Sequence, residues 1–142
     1  MSRMNTANKR MKRLLVTGSR DWTDDTVIEE HLHQAWQQLQ SPEQPHVVLV
    51  HGGCRTGADA IADRIWRKHH LPVEVHYADW RTLGKAAGPI RNRHMAGLGA
   101  DLCLAFILNQ SVGASHCVQA AQAAGIPTTV IERIIHSRHN SQ

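Results

Sequence analysis

The chain has 142 residues, enough for one domain with an ordinary core. Its apolar share of 42% suits a globular protein, and no apolar run approaches the roughly 20 residues of a membrane helix, so a soluble protein without a membrane partner is expected. A formal charge of +4 comes with basic residues near the N-terminus, but Leu14-Leu15-Val16 behind them is too short for a secretory signal, which places the chain in the cytoplasm.

Residues 1–11 read as a basic tail that either touches nucleic acid or is simply solvated; residues 12–135 form the domain, and residues 136–142 a frayed end. Leu14-Leu15-Val16-Thr17 is the first strand. Thr23 or Asp24 caps a helix whose apolar stripe is Val27, Ile28, Leu32, Ala35, Trp36 and Leu39, and Ser41-Pro42 ends it. Residues 46–50 make a continuously apolar second strand, and Thr56 opens a second helix to about His69, burying Ala58, Ile61, Ala62, Ile65 and Trp66. Residues 73–77 form a third strand, 79–89 a polar loop and 90–98 a short helix. A fourth strand over 101–107, a small-residue helix over 112–124 stopped by Gly125 and a fifth strand over 127–131 complete the series. Strands alternating with helices predict an α/β, Rossmann-like three-layer sandwich around a mainly parallel five-stranded sheet.

Three glycine- or arginine-rich turns follow strand ends: Gly18-Ser19-Arg20-Asp21-Trp22, His51-Gly52-Gly53-Cys54-Arg55-Thr56-Gly57-Ala58-Asp59, and Gly88-Pro89-Ile90-Arg91-Asn92-Arg93. In an open α/β sheet such loops meet at one crevice, where amides and arginines can surround an anion. Gly52, Gly53 and Gly57 permit close backbone approach, and Thr56 offers a hydroxyl, so the second turn reads either as a phosphate cradle or as a tight turn that needs glycine for packing alone. Asp59 either accepts ribose hydroxyls or pairs with an arginine. Arg20 and Arg91 suit phosphate, and Arg93, two residues from Arg91 on a helix, points elsewhere, toward structure or a partner chain. Trp22 and Trp80 stack on a base or cover the sheet edge.

Cys54, Cys103 and Cys117 are odd in number and widely spaced, which argues for reduced thiols over disulfides or zinc. The histidine pairs His31/His33 and His69/His70 lack the spacing of a metal motif, so neither metal nor cofactor is expected.

The run Thr17-Gly18-Ser19-Arg20-Asp21-Trp22, the run from His51 through Asp59, and Trp80 with Gly84-Lys85-Ala86-Ala87-Gly88-Pro89-Ile90-Arg91-Asn92-Arg93-His94-Met95 together closely resemble the YspA-type SLOG domain, related to YpsA. The resemblance spans roughly residues 12–131. It implies a Rossmann-like domain that binds a nucleotide or nucleotide-derived ligand, in many members as a homodimer. The ligand-binding residues it suggests are Gly18, Ser19, Arg20, Gly52, Gly53, Arg55, Thr56, Gly57, Asp59, Trp80, Arg91, Asn92 and Gly113.

Lonely Guy phosphoribohydrolases belong to the same superfamily and carry Pro-Gly-Gly-x-Gly-Thr-x-x-Glu after the fourth strand. Here the corresponding stretch is Asn109-Gln110-Ser111-Val112-Gly113-Ala114-Ser115-His116-Cys117, with Cys117 in place of the Glu and Ala114 in place of the Thr. Without that carboxylate a hydrolase of this type would have to rely on Asp59 and Arg91. The readings are therefore nucleotide binding, for sensing or sequestration; N-glycosidic hydrolysis of a nucleotide; and single-stranded nucleic-acid binding, which the single Tyr and single Phe make the least expected.

Overall fold

The computed structural model describes residues 10–135, so most of the expected basic tail and all of residues 136–142 lie outside the described residues. Five strands, β1 Lys12–Gly18, β2 Val47–His51, β3 Val73–Val75, β4 Leu102–Leu108 and β5 Thr128–Arg133, form one sheet in the order β3-β2-β1-β4-β5. Every pairing is parallel. The chain builds outward from β1 in one direction and then resumes on its other side at β4. The two central strands thus send their following loops to opposite sides, opening a crevice at their carboxyl ends.

Parallel strands need helical crossovers, and these cover both faces of the sheet. Residues alternate along each strand, so β1 places Leu14 and Val16 on one face and Leu15 on the other. On the first face Leu14, Val16, Leu49, Leu104 and Phe106 pack with Ile28 and Leu32 of α1 (Asp25–Leu39) and Ala58, Ala62 and Trp66 of α2 (Gly57–Lys68). On the second, Leu15, Val48, Val50 and Cys103 meet Met95 and Ala96 of α4 (Ala87–Gly97) and Cys117 and Ala121 of α5 (Val112–Ala123). Asp24 caps α1 by accepting the Val27 amide. Trp22 is core: it is buried, stands edge-on to Phe106 at 5.6 Å between centroids, and donates its indole N–H to the Asp24 carbonyl.

Strand lengths follow their partners. β3 stops at Val75, short of the expected Tyr77, because its neighbour β2 ends at His51, paired with Val75. β5 instead runs on to Arg133, because β4 offers Leu108 as its partner. The stretch expected to be a loop over 79–89 contains a short helix α3 (Trp80–Leu83), started by the Asp79 carboxylate accepting the Thr82 amide, and a 3-10 turn at Gly84–Ala86. α4 then begins at Ala87, before Pro89 rather than after it. A proline in the first helical turn gives up an amide that had no partner in any case.

Candidate functional site

A cleft of about 1490 Å³ opens at the carboxyl ends of β1, β2 and β4. Its walls come from the loop after β1, the loop after β2 with the first turns of α2, the segment from Tyr77 to Lys85, the start of α4, and the loop into α5. All three sequence motifs meet here. Of the residues singled out, Gly18, Ser19, Arg20, Gly52, Gly53, Arg55, Thr56, Asp59, Trp80, Arg91, Asn92 and Gly113 line the cleft; Gly57 lies just behind them, and Arg93 is exposed outside it.

Convergence does not leave these groups free. The Gly52 and Cys54 amides donate to Asp59 Oδ2, at 3.2 and 3.4 Å, and the Gly53 amide donates to His51 Nδ1 at 3.0 Å. Of the two readings of this turn, the hydrogen bonds of these three amides fit the tight turn, since they are engaged inside the loop. His51, accepting at Nδ1, carries its proton on Nε2 and donates to Asp63 Oδ2 at 2.7 Å. Arg67 holds the other oxygen of that carboxylate at 2.7 Å. Burial pushes Asp63 up, but the hydrogen bonds from Arg67 and His51 prevail and keep it below its ordinary range.

The β1 loop is equally committed. Ser19 Oγ accepts the Leu108 amide at 2.7 Å and donates to the Leu108 carbonyl at 3.3 Å, clamping the ends of β1 and β4 together. Thr56 stands at the N-cap of α2, yet its hydroxyl donates to the Arg20 carbonyl at 3.0 Å instead of capping the helix. Gly57 adopts φ +74°, and a Cβ there would collide with the Ser19 carbonyl oxygen. The two loops touch backbone to backbone at this point.

Arg91 joins the two sides of the cleft. Its Nη1 donates to the carbonyls of Gly52, at 2.6 Å, and His76, at 3.2 Å, while Nε donates to Asn92 Oδ1 at 2.8 Å. A Cβ on Gly52 would run into that guanidinium, so a larger residue there would have to displace it from its carbonyl. Asn92, buried, passes the network to His116 Nδ1 on α5 at 3.4 Å. Arg91 thus fixes the β2 loop against β3 and α4.

What remains unengaged lies around these locks. The side chains of Arg20 and Arg55 are exposed on the cleft and make no hydrogen bond or ion pair among the described residues. Neither α2 nor α5 receives a side-chain cap, and both begin at the cleft; the Ser19 carbonyl takes the Ala58 amide of α2, and the dipoles and the other first amides of the two helices favour an anion. At the mouth, Trp80 is half exposed and rests on Gly88, and Tyr77 lies largely exposed over Gly53. Asp59 is buried at the floor, with Oδ1 lacking any hydrogen-bond partner. Burial pushes its carboxyl above the ordinary range, against the opposing pull of His51, the loop amides and Arg91. Cys117 is fully buried and its thiol is pushed up by burial, so it stays neutral. The described residues contain no cluster of His, Cys, Asp and Glu able to hold a metal ion, and no described helix is long and apolar enough to cross a membrane.

Sequence reasoning missed His51, Tyr77, Lys85 and His116, all of which line the cleft. His51 was read only as the first residue of the second turn, with no role of its own, and Tyr77 only as the last residue of the third strand; in the structure His51 ends β2. The model of the YspA, cpYpsA-related SLOG family matches residues 12–82, from β1 through most of α3. The Gene 61 protein of Mycobacterium phage D29 is 48% identical over 122 residues, covering 82% of this chain and 94% of that protein. The chain belongs to the YspA, cpYpsA-related SLOG family. No solved structure matches it. The SLOG match carries the first two loops with their glycines; Arg91 and the α5 side of the cleft lie beyond it.

Proposed function

We propose that this SLOG domain binds a nucleotide or nucleotide-derived ligand in the cleft between β1, β2 and β4. The observation that carries the reading is the set of groups left over once the loops have been locked: two uncapped helix starts and two unengaged arginines around one cavity. In this reading Arg20, Arg55 and the start of α2 or α5 hold phosphate, and Trp80 or Tyr77 stacks on the base. Arg91 and the double glycine act behind the ligand, by shaping the wall it rests on.

Charge-assisted hydrogen bonds contribute about 1.5–3 kcal/mol each, so two or three of them with base stacking reach the roughly 8 kcal/mol of micromolar binding after association costs. The reading needs no catalytic group, which suits a cleft whose α5 side offers a neutral buried thiol at Cys117. Isothermal titration of the protein with AMP, ATP, NAD and ADP-ribose tests it. At least one of these is expected to bind at micromolar concentration, and Arg55→Ala to weaken that binding about tenfold without changing the fold. Absence of binding across the set overturns the reading.

A further inference from the structure

We infer that Asp59 reads the sugar of the bound nucleotide and makes this cleft selective for ribose over 2′-deoxyribose. The inference rests on the nucleotide reading above and adds to it the chemical class of the ligand.

Asp59 is only 7% exposed and sits on the wall of the cleft in the first turn of α2. Its two oxygens have different fates. Oδ2 accepts the amides of Gly52 and Cys54, while Oδ1 is buried with no partner. A carboxylate oxygen shut away from water without a donor is costly, and a ligand that brings a donor removes that cost. No donor lies within hydrogen-bond reach of Oδ1 among the described residues, and a small rotation of the carboxylate, whose residue lines the cleft, offers that oxygen to a donor on a ligand. The loop that holds Oδ2 is itself tied to Arg91 through the Gly52 carbonyl.

Position along α2 selects the sugar. Arg55 and the uncapped helix start precede Asp59 by one helical turn, so a phosphate gathered there places its ester-linked sugar beside the first turn of the same helix. The base then extends toward Trp80 and Tyr77, which are exposed at the mouth. An exocyclic amine lies in the plane of its ring, so a base stacked flat on Trp80 keeps that amine at the rim. The hydroxyls of ribose are the ligand donors that reach the floor, and a hydroxyl donating to a carboxylate makes a strong hydrogen bond.

The test is a calorimetric titration of the full chain and of Asp59→Asn with AMP, 2′-deoxy-AMP, 3′-deoxy-AMP and IMP. The wild-type protein is expected to bind AMP at least about tenfold more tightly than one or both deoxy analogues. Asp59→Asn puts an amide donor in place of the unpaired acceptor, and is expected to bring AMP and its deoxy analogues within about twofold of each other. Equal binding of AMP and both deoxy analogues by the wild-type protein overturns the inference and leaves the nucleotide reading intact. A preference for AMP over IMP that Asp59→Asn abolishes, with no sugar effect, also overturns it by moving Asp59 to the base. Failure of every probe to bind overturns the nucleotide reading and this one with it. The wild-type comparison stands without the variant.

Discussion

The two sides of the cleft are built on opposite plans. On the β1 and β2 side, backbone meets backbone: Ala58 donates its amide to the Ser19 carbonyl, Thr56 bonds the Arg20 carbonyl, and Gly57 has no room for a Cβ. On the α5 side, Ser111 leaves the helix uncapped, Val112 is 84% exposed, and a Cβ on Gly113 would meet nothing within 4 Å. A glycine at positive φ with no room for a Cβ therefore marks where two loops touch, and a glycine with open space at an uncapped helix start marks where something else can approach. The contrast is broken most directly by adding one methyl group to each side. Gly57→Ala has to carry a positive φ and displace the Ser19 carbonyl, and should lose about 3 kcal/mol of unfolding free energy in urea titration. Gly113→Ala should fall within about 0.5 kcal/mol of wild type. Comparable losses at the two positions would remove the distinction.

Arginines divide along the same line. Arg91 is committed to three protein acceptors, whereas Arg55 makes no side-chain bond among the described residues. Arg91→Ala leaves the Gly52 and His76 carbonyls and Asn92 short of a donor, and should cost about 2 kcal/mol of stability. Arg91→Lys should recover little of it, because a single ammonium cannot reproduce a planar fork that serves carbonyls on two loops and a neighbouring side chain. Arg55→Ala should leave the thermal midpoint unchanged. If Arg91→Ala folded with wild-type stability, Arg91 would belong with the unengaged groups and the locked side of the cleft would be smaller than drawn.

These assignments show which physical signals the sequence carries. The parallel sheet was legible because each buried strand is a short apolar run and each helix has a stripe, and both patterns are local. The convergence of the three motifs was legible too, since a parallel sheet sends the segments after β1, β2 and β3 to one end. Hydrogen-bond assignment was not legible. Arg91 and Gly52 are 39 residues apart, Ser19 and Leu108 are 89 apart, and only the folded backbone decides that the arginine meets a carbonyl instead of a phosphate. Strand ends failed for the same reason: Tyr77 has the composition of a strand, but β2 offers no partner beyond His51. Pro89 misled in the opposite direction, because a residue that breaks helix interiors is well suited to a first turn.

Asp59 belongs to both plans, with one oxygen locked and the other unengaged, and pH separates them. Burial holds its carboxyl above the ordinary carboxylate range in the folded protein. A carboxyl whose folded value exceeds its unfolded one stabilises the fold when protonated. That contribution is complete below the unfolded value of about 3.9 and is lost as pH rises through the folded value. Wild-type stability should therefore decline as pH rises above the ordinary carboxylate range, on top of the opposite trend set by groups such as Glu74, which the Arg13 guanidinium holds down to about 2. Asp59→Asn keeps an oxygen for the Gly52 and Cys54 amides but cannot ionise. It should remove this component of the pH profile and, near neutral pH, raise stability by about 1 kcal/mol, since an unpaired amide costs less than an unpaired charge. Urea unfolding of both proteins between pH 4 and 8 reads the difference. Parallel profiles would mean that Oδ1 is not the strained atom, and that the energetic case for a ligand donor at the floor of the cleft has no basis.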